Sequence, residues 1–185
     1  MPFQNLLKKI ANALDKRQIP YMIIGGQAVL VYGEPRLTRD IDVTLGVGVE
    51  ERERVMSAIS HIKLKFLTDD IESFVKKTMV LPALDEKSGV RVDFIFSFTP
   101  YERQAIERAK HIKFGRITVR FASPEDVVIH KVLAARPRDI EDIKSILLKN
   151  PNCDKKYIVK WLKEFDHSLS KNFSKTFLNI IKEIR

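Results

Sequence analysis

Ile23-Ile24-Gly25-Gly26 is followed, after thirteen intervening residues, by Asp40-Ile41-Asp42, and a third aspartate stands inside the apolar run Val90-Arg91-Val92-Asp93-Phe94-Ile95-Phe96. Side chains alternate along a strand with period two, so carboxylates at i and i+2 project from one face. A Gly-Gly pair ending a strand lets the backbone turn tightly and approach another group with no Cβ in the way. Aspartate is disfavoured in strands. Three of them among Ile, Val, Leu and Phe therefore mark the region as a candidate site.

Working outward, Tyr21 to Ile24 reads as a short buried strand and Gln27 to Tyr32 as a helix opening at the glycines and stopping near Gly33. Glu34 to Thr38 is a loop containing Pro35, and Arg39 to Leu45 a strand. Upstream, Phe3, Leu6, Leu7, Ile10 and Leu14 recur at helical spacing over 3–17, and Pro20 biases its predecessor away from helix. Downstream, helices are expected over 50–62 (Val55, Ala58, Ile59 and Ile62 inward) and 69–77. Met79 to Leu84 and Val90 to Phe98 make a hairpin around Asp85-Glu86-Lys87-Ser88-Gly89. Thr99-Pro100 opens a helix, and His111 to Phe114 and Ile117 to Phe121 are short strands about Gly115. Ser123-Pro124-Glu125-Asp126 combines a Ser cap, Pro at the first position and acids in the first turn. Helical spacing then recurs over 127–135, 140–149, 157–165 and 173–184. The expected architecture is α/β (α+β): a mixed sheet with flanking helices over 1–121, then a helical region over 122–185 packed on that core.

Composition bounds the function. A chain of 185 residues can bury a sizeable core without staples. Its single cysteine, Cys153, forms neither an internal disulfide nor a Cys-based metal site. No apolar run approaches the roughly 18 residues of a membrane span, and Met1-Pro2-Phe3-Gln4 leads straight into an amphipathic pattern, so a cytoplasmic protein without a membrane partner is expected. The net charge is +9 and uneven: residues 1–100 hold 14 Lys/Arg against 13 Asp/Glu, and residues 101–185 hold 19 against 11. A basic second half attracts polyanions, although a solvated Lys-rich surface has the same composition.

Close carboxylates repel unless a cation sits between them. Hard Mg²⁺ prefers a few carboxylates together with phosphate oxygens and water. Glycines that approach phosphates beside Asp40, Asp42 and Asp93 suit metal-dependent transfer from a nucleoside triphosphate. For any one Asp the alternative is a strand-end residue that caps a turn or pairs with Arg36 or Arg39. Arg36, Thr38 and Arg39 are candidates to line the nucleotide pocket; one of the arginines could instead pair with Asp93 or Glu34. The four histidines show no ligand spacing, and Gly46-Val47-Gly48 alone carries little information. Trp161, Phe165, Phe173 and Phe177 read as core of the last helices.

Taken together, Gly25-Gly26, Asp40-Ile41-Asp42 and Asp93 resemble the nucleotidyltransferase superfamily typified by DNA polymerase beta, over about residues 20–98. The resemblance implies a mixed sheet and two Mg²⁺ ions, with Mn²⁺ as the substitute. Asp40 and Asp42 would bind both ions, and Asp93 would bind the catalytic ion and help deprotonate the attacking hydroxyl. Gly25 and Gly26 would offer backbone N–H groups to the β and γ phosphates at a helix start. A narrower resemblance reaches about residue 143: Arg36-Leu37-Thr38-Arg39-Asp40-Ile41-Asp42 and His130-Lys131 through Asp139-Ile140-Glu141-Asp142 are similar to the abortive-infection toxin type. It implies that Lys131 contacts the triphosphate and that Asp139 orders the site or its basic neighbours. Pro137, between Arg136 and Arg138, departs from that pattern.

The expected activity is transfer of a nucleoside monophosphate from an NTP such as ATP to an acceptor hydroxyl. RNA, a tRNA 3′ end in particular, is the favoured acceptor on charge, with a protein or a small molecule as alternatives. A partner protein in a toxin–antitoxin or phage-defence system fits the narrower resemblance. The competing reading is a non-catalytic nucleotide- or partner-binding module on the same fold.

Overall fold

The computed structural model describes residues 2–97 and 99–184, with the backbone alone at Pro2. Met1 and Phe98, the latter the expected end of a strand, lie outside the described residues. The chain divides into two compact units, residues 1–27 with 38–122 and residues 28–37 with 123–185. No helix among the described residues is long and apolar enough to cross a membrane.

The first unit is built on a seven-stranded mixed sheet. In chain order its strands are β1 (Tyr21–Ile24), β2 (Asp40–Leu45), β3 (Lys65–Phe66), β4 (Val80–Asp85), β5 (Val90–Phe96), β6 (Lys110–Phe114) and β7 (Ile117–Phe121). Across the sheet they run β3-β4-β5-β2-β1-β7-β6. β2 lies parallel to β5 and antiparallel to β1, and β1 lies parallel to β7. The helices are α1 (Pro2–Lys16), α2 (Gly25–Tyr32), α3 (Arg52–Ile59), α4 (Ile71–Thr78) and α5 (Pro100–Glu107), with α2 running on past Gln27 into the residues of the second unit. α1 packs on β7 and α3, α4 on β4, and α5 on β2.

Period two sorts the central strands into two faces. Ile41, Val43 and Leu45 of β2 and Val92, Phe94 and Phe96 of β5 are fully buried, each such side chain contributing about 1.5–3 kcal/mol relative to exposure. The alternate positions on β2 and β5 are Asp40, Asp42 and Thr44, and Arg91, Asp93 and Ile95. The same backbone that hides one set in the core therefore presents the charged set together.

The second unit is helical: α6 (Pro124–Ala134), α7 (Pro137–Lys149), α8 (Lys155–Leu169) and α9 (Phe173–Glu183). α6 packs on α7, α8 and α9, burying Val127, Val128, Ile129 and Val132. Ser123 caps α6, its Oγ accepting the Asp126 N–H at 3.2 Å and donating to Asp126 Oδ2 at 2.6 Å. Asp154 caps α8 through the N–H groups of Lys156 and Tyr157. Phe177 is buried as expected, while Trp161, Phe165 and Phe173 are half-buried.

Residues 28–37, expected with the sheet, belong to this helical unit, and hydrogen bonds give the reason. Asn150 Nδ2 donates to the Tyr32 carbonyl at 2.9 Å, Lys149 Nζ to the Gly33 carbonyl at 3.1 Å, and the Glu34 N–H to Ser145 Oγ at 3.3 Å. A Cβ at Gly33 would stand 2.6 Å from Ser145 Oγ, so glycine permits this close approach to α7.

Candidate active site

Within the first unit the carboxylates come from neighbouring strands in register. Asp42 is paired with Asp93 and Asp40 with Arg91 across the parallel β2–β5 ladder. Laddered residues are about 4.8 Å apart and point to the same side, so Asp40, Asp42, Arg91 and Asp93 form a four-residue patch. On the other side of β2, Ile24 is the antiparallel neighbour of Asp42. Gly25 follows it at φ +64°, in the left-handed region that favours glycine. A Cβ there would lie 1.9 Å from Asp42 Oδ2, so the backbone of the Gly-Gly turn presses directly on the carboxylate. Gly26, buried, is the second residue of α2.

Short contacts hold the patch. Thr38 Oγ1 donates to Asp40 Oδ1 at 3.0 Å, and Gln27 Nε2 donates to the Asp40 carbonyl at 3.4 Å. Arg91 Nε reaches both Asp93 oxygens, at 2.9 and 3.1 Å. The Asp93 partner is thus Arg91 and not Arg36 or Arg39, because i and i+2 on one strand share a face. Arg39 is exposed and makes no hydrogen bond or ion pair among the described residues.

Three hard oxygen donors, two of them abreast on adjacent strands, suit a divalent ion such as Mg²⁺. With Asp93 turned onto Arg91 and Asp40 accepting from Thr38, the described residues present no group of three or more His, Cys, Asp or Glu converged to hold a metal. The donor chemistry fits the ion, and the side-chain rotation that would bring Asp93 to it must release Arg91.

Within the second unit, α6 and the start of α7 enclose an ion cluster. Lys131 Nζ lies 2.6 Å from Asp139 Oδ1 and 2.9 Å from Asp142 Oδ2. The Arg36 guanidinium grips Asp142 with two bonds of 3.0 Å, and Asp139 also accepts the Arg136 N–H at 3.2 Å. Lys131, Asp139 and Asp142 are buried. Arg36, a candidate for the nucleotide pocket with Asp93 or Glu34 as an alternative partner, takes Asp142, 106 residues along the chain. Both cations are therefore matched by carboxylates on α7. Cys153 is chemically quiet here: burial, reinforced by Glu125, pushes its thiol up to about 12.

Of the residues singled out by sequence, the structure brings together Gly25, Thr38, Asp40, Asp42 and Asp93 in one unit and Arg36, Lys131 and Asp139 in the other. Arg91 and Gln27 were missed. Arg91 was legible as the residue two before Asp93 and hence on its face; Gln27 carried no signal.

Residues 3–182 match the family described as nucleotidyltransferase of unknown function (DUF6036). No relative among curated proteins matches the chain. Among solved structures, the antibiotic-resistance factor ANT(2'')-Ia in complex with adenylyl-2''-tobramycin superimposes with a TM-score of 0.60 at 19% identity, over 92% of this chain and 100% of that one. An antigenic nucleotidyltransferase-like protein from Paracoccidioides brasiliensis gives 0.57 at 15% identity, over 89% and 87%. The lincosamide antibiotic adenylyltransferase LnuA, bound to lincomycin, gives 0.54 at 18%, over 77% and 94%. At these identities the likeness is one of fold, and it is the mixed sheet with flanking helices that is shared. The chain belongs to this nucleotidyltransferase family.

Proposed function

We infer that the protein transfers a nucleoside monophosphate from an NTP to an acceptor hydroxyl. The acceptor oxygen forms a bond to the α-phosphorus, the α–β anhydride bond breaks, and pyrophosphate leaves with the electron pair. The observation that carries this reading is Asp42 standing in register with Asp93 while the Gly25 backbone presses on Asp42. Mg²⁺ held by Asp40, Asp42 and Asp93 would supply charge neutralisation on the phosphate oxygens. Asp93, once released from Arg91, would take the hydroxyl proton, and Gly25 and Gly26 would offer N–H groups to the leaving phosphates. Thr38 fixes the Asp40 carboxylate, and Arg39, exposed beside it, supplies a mobile cation for the triphosphate.

RNA is the acceptor class favoured by the net +8 of residues 101–185. A small hydroxyl compound is the second reading. It is favoured by the likeness to ANT(2'')-Ia, seen with an adenylylated aminoglycoside over nearly the whole of both chains. The test is incubation with each α-³²P-labelled NTP and Mg²⁺, offering total RNA and an aminoglycoside set separately, with Asp42→Asn as control. Label on RNA that the control abolishes supports the first reading, and label on the small molecule alone the second. Label on neither, with any protein concentration or NTP, counts against transfer.

A further inference from the structure

Helix α8 carries an unmatched basic stripe. Lys156, Lys160, Lys163 and His167 are all exposed. At 100° per residue they fall within an arc of about 60°. The residues on the opposite side, Ile158 and Leu162, are fully buried in the helical unit, so the stripe faces away from the unit's core. Elsewhere Lys65 pairs with Glu86, Lys76 with Glu72, Lys144 with Glu141 and Glu183, and Lys149 with Glu34, while other lysines such as Lys9, Lys16 and Lys87 make no described ion pair; what distinguishes α8 is that three such lysines and a histidine share one arc. Among the described residues none of the four in the stripe has a carboxylate within ion-pair distance; Lys160 alone has a further contact, its ammonium 5.8 Å from the Trp161 ring centre. Glu164, on the flank of the stripe, makes no ion pair with it. The other acid of α8, Asp166, is turned to the α9 start, accepting from the Ser174 N–H and hydroxyl.

We propose that this face of α8 docks a single RNA strand through its phosphates, a surface that rests on the RNA-acceptor reading above. A rise of 1.5 Å per residue makes the stripe about 16 Å long. The stripe is one side chain wide, which matches the single phosphate row of one strand and not the two rows that border a duplex groove. It offers ammonium groups without aromatic platforms on the same arc, so the contact is to the backbone and independent of sequence. An RNA strand ends in vicinal 2′- and 3′-hydroxyls, the acceptor chemistry of the reading above.

The test is fluorescence anisotropy of fluorescein-labelled U20 RNA with the full chain, in EDTA and without NTP, from 50 to 300 mM salt. It compares the wild type, a Lys156→Gln/Lys160→Gln/Lys163→Gln triple variant, and a charge-matched Lys9→Gln/Lys16→Gln/Lys87→Gln triple. All six lysines are exposed, and none takes part in a described ion pair. Circular dichroism verifies that both variants fold. Loss of three phosphate contacts should reduce the slope of log K against log salt by about 2 and weaken binding on the order of 100-fold at 0.1 M salt, with the matched triple close to wild type. Equal binding by the two triples overturns the stripe while leaving the acceptor reading intact. A wild type that binds no RNA at 50 mM salt overturns the stripe and the RNA-acceptor reading together. Binding to phosphatidylserine vesicles in preference to RNA also overturns it. Stripe-dependent RNA binding, with label passing only to a small hydroxyl compound, supports the docking surface and removes RNA as acceptor.

Discussion

Replacing Gly25 by alanine tests the close approach of its backbone to Asp42. The new Cβ would lie 1.9 Å from Asp42 Oδ2 and 2.9 Å from Asp42 Cγ, against the 3.4–4 Å of ordinary contact. An overlap of about 1.5 Å cannot be absorbed at rest. Either the Asp42 carboxylate swings off its position or the strand moves. Alanine at φ +64° adds about 1–2 kcal/mol of backbone strain, which for a chain of this size lowers Tm by roughly 2–8 °C. The chemical effect is expected to be larger: a 1 Å misplacement of a reacting group costs about 10²-fold in rate. Gly25→Ala should therefore lose at least about 100-fold in label transfer from α-³²P NTP while melting cooperatively only a few degrees below wild type. Thermal unfolding followed by circular dichroism, alongside the transfer assay, gives both quantities. A variant that folds and retains more than half of wild-type transfer would mean that the Gly25 contact does not govern where Asp42 stands.

Arg91→Met removes the guanidinium that occupies both Asp93 oxygens. It should tighten Mn²⁺ binding, read by electron paramagnetic resonance, by up to about 5-fold, the order expected for losing one partly exposed ion pair; unchanged affinity would show that Arg91 does not compete with the ion. Lys131→Met leaves Asp139 without a cation and weakens the hold on Asp142. Breaking a buried pair by removing one partner costs about 3–5 kcal/mol, and denaturant titration should show a loss of that order, whereas a loss below about 1 kcal/mol would remove the structural role. Burial, aided by Asp15, holds the Tyr21 phenol at about 12 against about 10 in the unfolded chain. Its raised value stabilises the fold fully below pH 10 and is lost between 10 and 12, at up to about 1.4 kcal/mol per pH unit. Tyr21→Phe should flatten that alkaline loss in urea titrations, and an unaltered alkaline slope would exclude Tyr21 as its source.

Much of the site was legible because its chemistry is local. Gly25-Gly26 and Asp40-Ile41-Asp42 are each a few residues long, and period two alone places Asp40 with Asp42 on one face and Arg91 with Asp93 on one face. Caps were equally readable, as Ser123 before Pro124 shows. What sequence could not supply was the pairing of distant segments. That β2 lies beside β5, which brings Asp42 level with Asp93, is a tertiary fact. So is the choice of Asp142 by Arg36, and the attachment of residues 28–37 to the helical unit through Ser145, Lys149 and Asn150. β3 escaped because a two-residue strand, Lys65–Phe66, has no room for alternation. The helix expected over 50–62 divides into 3₁₀ turns at 49–51 and 60–62 around α3, with Lys63 in the left-handed region closing the last turn. End turns of that kind leave the apolar spacing unchanged.

The measurement that bears most directly on the account compares α-³²P and γ-³²P labels on the same NTP, with wild type and Asp93→Asn, while pyrophosphate release is followed enzymatically. Nucleotidyl transfer through Asp93 requires acceptor labelled from the α position only, pyrophosphate released in equal amount, and both lost in the variant although the fold and NTP binding survive. Acceptor labelled from the γ position, or α-label transfer undiminished in Asp93→Asn, would contradict it.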